Sequence, residues 1–120
     1  MKLESHATRA ALEWLASALE PLTELWEDRD AFEDALVTFI YNASQSGIMV
    51  SYDWINDVAS RRSEASDPTA LQAMDLDTFQ RTVISHIRGE RLVEGHLRAL
   101  ARSGYLTAMA ARARTLAATL

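Results

Sequence analysis

Apolar residues recur every three or four positions near the start of the chain, the spacing that places side chains on one face of an α-helix. The pattern predicts a first helix over roughly residues 3–20. Its apolar face is formed by Leu12, Leu15 and Leu19. Pro21 predicts a break or kink at 20–21, followed by a short helical turn, because proline lacks a backbone N–H and its ring clashes with the carbonyl four residues earlier. Trp14 falls off this face, so it is expected either to pack on a second face or to form a subunit contact.

A second helix is predicted to begin at Asp30, because Glu33 stands three residues later and completes a capping-box pattern. Gly47 is suited to the left-handed conformation that ends a helix, so the helix stops just before it. The apolar residues at helical spacing between these limits are Phe32, Leu36, Phe39, Ile40 and Ala43.

Two short helices are predicted next. The third is capped by Ser51 or Asp53 and continues to about Arg62. Its inward residues are predicted to be Trp54, Ile55 and Val58. The fourth begins with Asp67-Pro68, a capping residue followed by proline at the first helical position, and ends near Ala73.

The C-terminal part predicts a long helix that starts at Asp75 or Asp77. Its first apolar stripe is Leu76, Phe79, Val83, Ile84 and Ile87, and its second is Val93, Leu97 and Leu100. The second stripe is rotated by roughly a quarter of a circle from the first, so we expect a kink or tight turn near Gly89-Glu90. Ser103-Gly104 ends this helix, and a last helix covers about 106–118.

The composition supports an all-α fold. Of the 120 residues, 48% are hydrophobic and 24% are charged, and only four Gly and two Pro are present, too few for the turns of a β-sandwich. We expect one domain over residues 1–120, a compact irregular bundle of six or seven short helices.

Several classes of protein are excluded or disfavoured. The chain has no cysteine, which excludes disulfides, Cys-ligated zinc, iron–sulfur clusters and thiol nucleophiles. No P-loop, dinucleotide fingerprint or hydrolase nucleophile motif is present. The first residues lack the apolar core of a signal peptide, and no apolar run reaches the roughly 20 residues of a membrane span. We therefore expect a cytoplasmic protein with no membrane contact and no cofactor.

Charge is distributed unevenly within the net charge of −5. Residues 1–80 carry 15 acids and 5 bases, whereas residues 81–120 carry 7 arginines and 2 glutamates. Such a chain can pair with itself or present one sign of charge to a partner. The densest acidic patch is formed by Glu20, Glu24, Glu27, Asp28, Asp30, Glu33 and Asp34. We interpret it as a surface that docks on a basic region of another protein.

The arginines raise nucleic-acid binding as an alternative. On an unbroken helix five of them would share about a third of the circumference and could follow a phosphate backbone. These five are Arg81, Arg88, Arg91, Arg98 and Arg102. No aromatic residues alternate with them for base stacking, and the acidic part of the chain would repel a nucleic acid. We therefore do not expect nucleic acid as the partner.

The stretch from His86 to His96 has the highest density of polar candidates. His86, Glu90 and Glu94 recur every four residues, and with His96 they could hold a divalent metal or act as acid and base. The alternative is structural: the glutamates pair with neighbouring arginines and the histidines are hydrogen-bonded in the core. The second interpretation is favoured, so no catalytic residue and no metal ligand is predicted.

The run His86-Ile-Arg-Gly-Glu-Arg-Leu-Val-Glu-Gly-His-Leu97, followed by Ser103-Gly104-Tyr-Leu, resembles the C-terminal signature of a bacterial and phage domain of unknown function. The resemblance covers about residues 48–116 and leaves the two helices within 1–47 outside it. The matching positions are His86, Arg88, Arg91, Glu94, Gly95 and His96. Leu92 stands where an aromatic residue is more usual. The resemblance implies a small helical domain and no particular activity.

These observations predict a non-catalytic, protein-binding accessory module of bacterial or phage origin that forms a homodimer. Its narrowest form is a phage or mobile-element inhibitor of a host defence complex, similar in role to an anti-CRISPR protein. Two alternatives stay open: a small metal-dependent or acid–base enzyme centred on His86, Glu90, Glu94 and His96, and a nucleic-acid binder acting through the arginines of residues 81–102.

Overall fold

The computed structural model describes residues 2–60 and 66–120, without the side chains of residues 58–60. These ranges contain seven α-helices and no strand, which confirms the predicted all-α bundle. The helices are α1 (Arg9–Leu25), α2 (Arg29–Gln45), α3 (Trp54–Ser60), α4 (Pro68–Leu71), α5 (Leu76–Leu92), α6 (His96–Arg102) and α7 (Tyr105–Ala118). None of these helices is long and apolar enough to cross a membrane.

The core is organised around α1 and α7, which make the most extensive contact between any two helices of the described chain. The predicted leucine face of α1 is buried. On α7 the buried face is rich in alanine, with Ala110, Ala113 and Ala117. Small side chains let two helix axes approach closely, which explains why this pair packs over a large area. Replacing Leu12 or Leu15 by Ala would cost about 2–5 kcal/mol, as is usual for fully buried leucines.

The predicted break at Pro21 does not occur, and α1 continues to Leu25. Pro21 and Ser17, whose carbonyl loses its helical partner, are both exposed. Water can therefore hydrogen-bond the freed carbonyl, and the helix can bend away from the ring on its solvent side. Leu22 follows immediately and is buried in the core, so burial outweighs the local penalty of proline.

The start of α1 also differs from the prediction. The helix begins at Arg9 with Thr8 as its cap, and residues 2–8 form a non-helical N-terminal arm. Three hydrogen bonds tie this arm to α5: Leu3 N–H donates to Asp77 Oδ1 (2.9 Å), His6 Nε2 lies 2.8 Å from the same oxygen, and Ala7 N–H donates to Gln80 Oε1 (2.7 Å). These partners are more than 70 residues away, so local periodicity could not reveal them.

The predicted capping box of α2 is wrong by two residues. Asp28, not Asp30, is the cap, and its carboxylate accepts a hydrogen bond from Ala31 N–H at 3.1 Å. The predicted end is confirmed, since Gly47 follows the last residues of α2 with φ of +87°. The buried face of α2 is Phe32, Leu36, Phe39 and Ala43, with Ile40 half-buried.

Trp14 has a partner within the chain. Its ring stacks on Phe39 of α2, with ring centroids 5.5 Å apart. This contact explains why Trp14 lies off the leucine face of α1: it packs toward α2 instead. Its further role as a subunit contact stays a prediction.

The two short helices follow the predicted starts more closely than the predicted faces. Ile55 is 59% exposed, whereas Asp57 is buried, because α3 packs on α5 through the hydrogen-bonded carboxylate of Asp57. The side chain of Val58 and the predicted end near Arg62 lie outside the described residues. Asp67 caps α4 as predicted by accepting from Thr69 N–H at 2.9 Å, but α4 ends at Leu71 rather than near residue 73.

Candidate functional site

The turn between α5 and α6 contains most of the predicted signature residues. The chain does not kink at Gly89-Glu90: α5 continues to Leu92, and the turn lies at residues 93–95. Gly95 has φ of +87°, a conformation that is strained for residues with a Cβ. Leu97 and Leu100 of the second apolar stripe therefore lie on a separate helix, α6, whereas Val93 lies in the turn and is 62% exposed. Gly89 stays helical, and the ring of His96 lies beside it.

Glu90 closes this turn. Its Oε1 accepts a hydrogen bond from Leu97 N–H at 2.8 Å and its Oε2 accepts one from Gly95 N–H at 3.0 Å. The side chain is buried. The first N–H groups of a helix have no partner within the helix, and a carboxylate near them is also favoured by the helix dipole. Glu90 thus acts as a side-chain cap for α6, supplied from α5.

His86 and His96, which we call the histidine pair, meet under this turn. His86 Nδ1 lies 2.9 Å from His96 Nε2, and His86 Nε2 lies 3.1 Å from the hydroxyl of Tyr105. The two imidazoles are nearly parallel, with centroids 5.1 Å apart. Both nitrogens of His86 are hydrogen-bonded, so the pair joins α5, α6 and α7 into one unit.

The environment of His96 favours its neutral form. His86 is only 5% exposed. Burial lowers the pKa of His96 below its usual value of 6.5, although the negative charge of Glu90 acts in the opposite direction. A neutral imidazole has one donor and one acceptor nitrogen, which suits a chain of hydrogen bonds that all point the same way.

The alternative metal or acid–base set of His86, Glu90, Glu94 and His96 is not assembled. Both oxygens of Glu90 are bonded to backbone amides, and Glu94 is exposed. Within residues 2–60 and 66–120 there is no group of three or more His, Asp or Glu side chains that could hold a metal ion. The structure therefore brings His86 and His96 together but does not add the two glutamates as ligands.

The arginines do not form one basic stripe. Arg81 is held in an ion-pair network, with Asp77 at 2.8 Å and Asp57 at 2.7 Å. The hydroxyl of Tyr52 donates to the carbonyl of Arg81 (2.7 Å) and lies 2.8 Å from Ser85 Oγ. Burial opposes ionisation of Asp77, but hydrogen bonds from the N-terminal arm and from Arg81 outweigh it, so the pKa of Asp77 is below its usual value. Arg81 is thus a structural residue.

The remaining arginines are divided between two helices. Arg98 on α6 donates from Nε to the carbonyl of Trp26 at 2.7 Å, and Arg102 is exposed on the same helix. Arg88 and Arg91 on α5 instead line an open cavity of about 380 Å³ between α3 and the end of α5. We call this cavity the arginine pocket; it is lined by Ser51, Tyr52, Trp54, Arg88, Arg91 and Leu92.

The predicted acidic patch lies where α1 ends and α2 begins. We call it the acidic corner, with the seven residues Glu20, Glu24, Glu27, Asp28, Asp30, Glu33 and Asp34. All are exposed except Glu33, which is half-buried. Glu20 pairs with Arg114, and Asp28 caps α2.

The chain matches the model of a known protein family. The family model matches residues 24–119, which include all of α2 to α7. The chain belongs to a family of unknown function, DUF6508. The match is longer than the resemblance over residues 48–116 and takes in α2. Neither a curated protein nor a solved structure matches the chain.

Several side chains of this region were not singled out by sequence reasoning. Tyr105 is fully buried against His86, and Gln80 is fully buried between the N-terminal arm and the carbonyl of Ile48. Asp57 is buried opposite Arg81. The signal that could have found them is a polar residue at a core-facing position of a helix. Gln80 directly follows the buried Phe79, so it would be recognised as core-facing only if the width of the buried face were known.

Proposed function

We propose that this chain is a non-catalytic protein-binding module, and that its partner docks on the acidic corner and on the exposed face of α2. The observation that carries this proposal is the exposure of two large side chains beside the acids. Val37 is 70% exposed and Tyr41 is 66% exposed. Single exposed apolar residues are ordinary, but this pair lies one turn apart on one helix and extends a charged surface.

The exposed face of α2 is continuous with the acidic corner. Asp30, Asp34, Val37 and Tyr41 follow each other at intervals of three and four residues, so they lie along one side of the helix. The opposite side carries the buried phenylalanines of the core. α2 thus presents a row of two acids followed by an apolar residue and a tyrosine.

The charge of this surface specifies the chemistry of the partner. Residues 20–34 hold seven acids and the single base Arg29. A complementary partner is a protein surface with several Lys or Arg residues and an apolar recess for Tyr41. Acidic patches of this kind increase the rate of encounter, and buried tyrosines often contribute much of the binding energy at interfaces.

The contacts of the α5–α6 turn support a non-catalytic role. His86 is buried, and Glu90 is bonded to amides through both carboxylate oxygens. A general acid or base must reach the proton that it transfers, and these groups face the protein interior.

A narrower form of the proposal is that the partner belongs to a host defence complex and that the chain is of phage or mobile-element origin. Small size and acidity support it, and a direct binding assay with such a complex tests it.

Homodimer formation with Trp14 in the contact is a separate proposal. Light scattering tests it, and a monomeric mass at high protein concentration would contradict it.

A pull-down from host lysate tests the docking surface, because the proteins captured by wild type can be compared with those captured by surface variants. Val37→Ala combined with Tyr41→Ala removes the apolar pair, and Asp30→Asn combined with Asp34→Asn removes two charges. The matched control is Ile55→Ala combined with Val93→Ala, which deletes similarly exposed apolar surface from α3 and from the α5–α6 turn. We expect wild type and the control variant to bind a basic protein that neither α2 variant binds. Added salt should release this protein, because salt screens charge attraction. Identical sets of captured proteins for wild type and both α2 variants would contradict the proposal.

A further inference from the structure

The arginine pocket carries a second set of binding groups, separate from α2. Arg88 and Arg91 stand three residues apart on α5, so their side chains extend from neighbouring positions of the same helix surface. Ser51 and Tyr52 line it from the segment that leads into α3, and Trp54 lines it from the first position of that helix. The cavity of about 380 Å³ is within the usual size range of small-molecule sites.

The guanidinium groups of this pocket have no partner among the residues that the structure describes. Within the described part of the chain, no hydrogen bond or ion pair joins Arg88 or Arg91 to another group, whereas Arg81, Arg98 and Arg112 are all bonded to carboxylates or carbonyls. Arg88 is half-buried, so part of its hydration is already lost. Two like charges at this spacing repel each other, and an oxyanion shared between them would relieve the repulsion.

The position of the two arginines explains why the fold tolerates them. Both lie near the C-terminal end of α5, where the helix dipole favours positive charge. Their charge is therefore partly compensated by the helix, but the dipole supplies no hydrogen-bond acceptor for the forked N–H groups. The donors stay available to a ligand.

The other side of the pocket is aromatic and held in place. The hydroxyl of Tyr52 is bonded to the carbonyl of Arg81 and to Ser85, which fixes the ring against α5. Trp54 is half-buried, and Leu92 is 70% exposed at the rim. Planar aromatic and guanidinium surfaces both favour a planar ring stacked on them.

We propose that the arginine pocket binds a small organic anion in which a phosphate or carboxylate is attached to a planar ring. The forked donors of Arg88 and Arg91 hold the oxyanion, and Trp54 contacts the ring. A long nucleic acid is disfavoured, because the chain has a net charge of −5 and, among the residues that the structure describes, no continuous row of available arginines extends from the pocket. This site does not depend on the protein-binding surface of α2.

The test is calorimetric titration at low salt with three probes: phenyl phosphate, benzoate and inorganic phosphate. We expect at least one ring-bearing probe to bind more tightly than inorganic phosphate, and the better of the two identifies the preferred oxyanion. Arg88→Ala and Arg91→Ala are each expected to lower the affinity for that probe by about tenfold or more, since each removes charge-assisted hydrogen bonds. Trp54→Ala is expected to lower the affinity for the ring-bearing probe and to leave the affinity for inorganic phosphate unchanged.

Two further variants make the result specific. Arg102→Ala removes the same charge from an exposed position of α6 and is expected to leave binding unchanged. Arg88→Lys keeps the charge but loses the fork, so it is expected to bind between wild type and Arg88→Ala. Circular dichroism melts establish that the variants are folded. The proposal is overturned if folded wild-type protein binds none of the probes, or if Arg88→Ala and Arg91→Ala bind as wild type does. A loss in Arg102→Ala equal to that in Arg88→Ala would overturn it too, whereas the α2 variants are expected to bind the probes normally.

Discussion

The carboxylate of Glu90 accepts the backbone N–H of Leu97 at 2.8 Å and so holds the first turn of α6 from the end of α5. A second bond, from Gly95 N–H, completes the arrangement. Two residues that a metal site or an acid–base pair could have used, Glu90 and His86, are instead saturated by groups of the protein itself. This saturation supports the proposed non-catalytic role of the chain.

The two glycines of the turn are predicted to respond to alanine with opposite signs. Gly95→Ala places a Cβ on a left-handed residue and is expected to lower the free energy of unfolding by about 1–2 kcal/mol. Gly89→Ala lies within α5, where a Cβ would meet the His96 ring at an ordinary 3.5 Å, so better helix propensity is expected to stabilise by about 0.5–1 kcal/mol. Urea denaturation of both variants measures this. A larger loss of stability in Gly89→Ala than in Gly95→Ala would contradict this placement of the turn.

The histidine pair predicts that stability decreases in mild acid. The pKa of His96 is lowered in the fold, chiefly by burial, so between the folded and the ordinary value near 6.5 the unfolded chain binds more protons. The contribution is complete above pH 6.5 and is lost as the pH falls through the folded pKa. Chemical denaturation at a series of pH values from 8 to 5 measures how steeply the free energy of unfolding falls with pH. His96→Asn should make this dependence shallower. An unchanged slope in His96→Asn would contradict the assignment.

Gln80 is predicted to be worth more than an ordinary polar residue. It is fully buried, donates to the carbonyl of Ile48 at 2.9 Å and accepts from Ala7 N–H at 2.7 Å. Gln80→Ala leaves both groups without their partner and is expected to cost about 3 kcal/mol. The matched control is Gln72→Ala at an exposed position, which is expected to change stability by less than about 0.5 kcal/mol. Equal effects in the two variants would show that the N-terminal arm is not anchored through Gln80.

The elements predicted correctly are those in which one local signal had no competitor. Asp67-Pro68 and Gly47 each combine a conformational preference with a single position where it can act, and both lie where expected. The cap of α2 was misplaced because Asp28 and Asp30 are equally good caps in isolation, and the choice depends on where the chain leaves α1. Pro21 was misjudged because a buried Leu22 outweighs a local penalty on an exposed surface.

The site was predicted in part for a similar reason. The density of His, Glu and Gly between His86 and His96 correctly marked a specified turn, but the residues that complete it are distant in sequence. Tyr105 joins from α7, and the arginine pocket needs Tyr52 and Trp54 from the start of α3 and the segment before it. Spacing along one helix says nothing about which side chain of another helix lies opposite. The prediction of an ion pair for Glu90 failed because its oxygens face amides rather than arginines.

The most direct test of the account compares Glu90→Ala with Glu94→Ala by urea denaturation, with Glu90→Gln as an intermediate. Glu90→Ala removes a buried cap and is predicted to lower the free energy of unfolding by about 2 kcal/mol or more, Glu90→Gln by less, and Glu94→Ala by no measurable amount, since Glu94 is exposed. Unchanged or increased stability in Glu90→Ala would contradict the account, because carboxylates kept for chemistry commonly destabilise the fold that holds them.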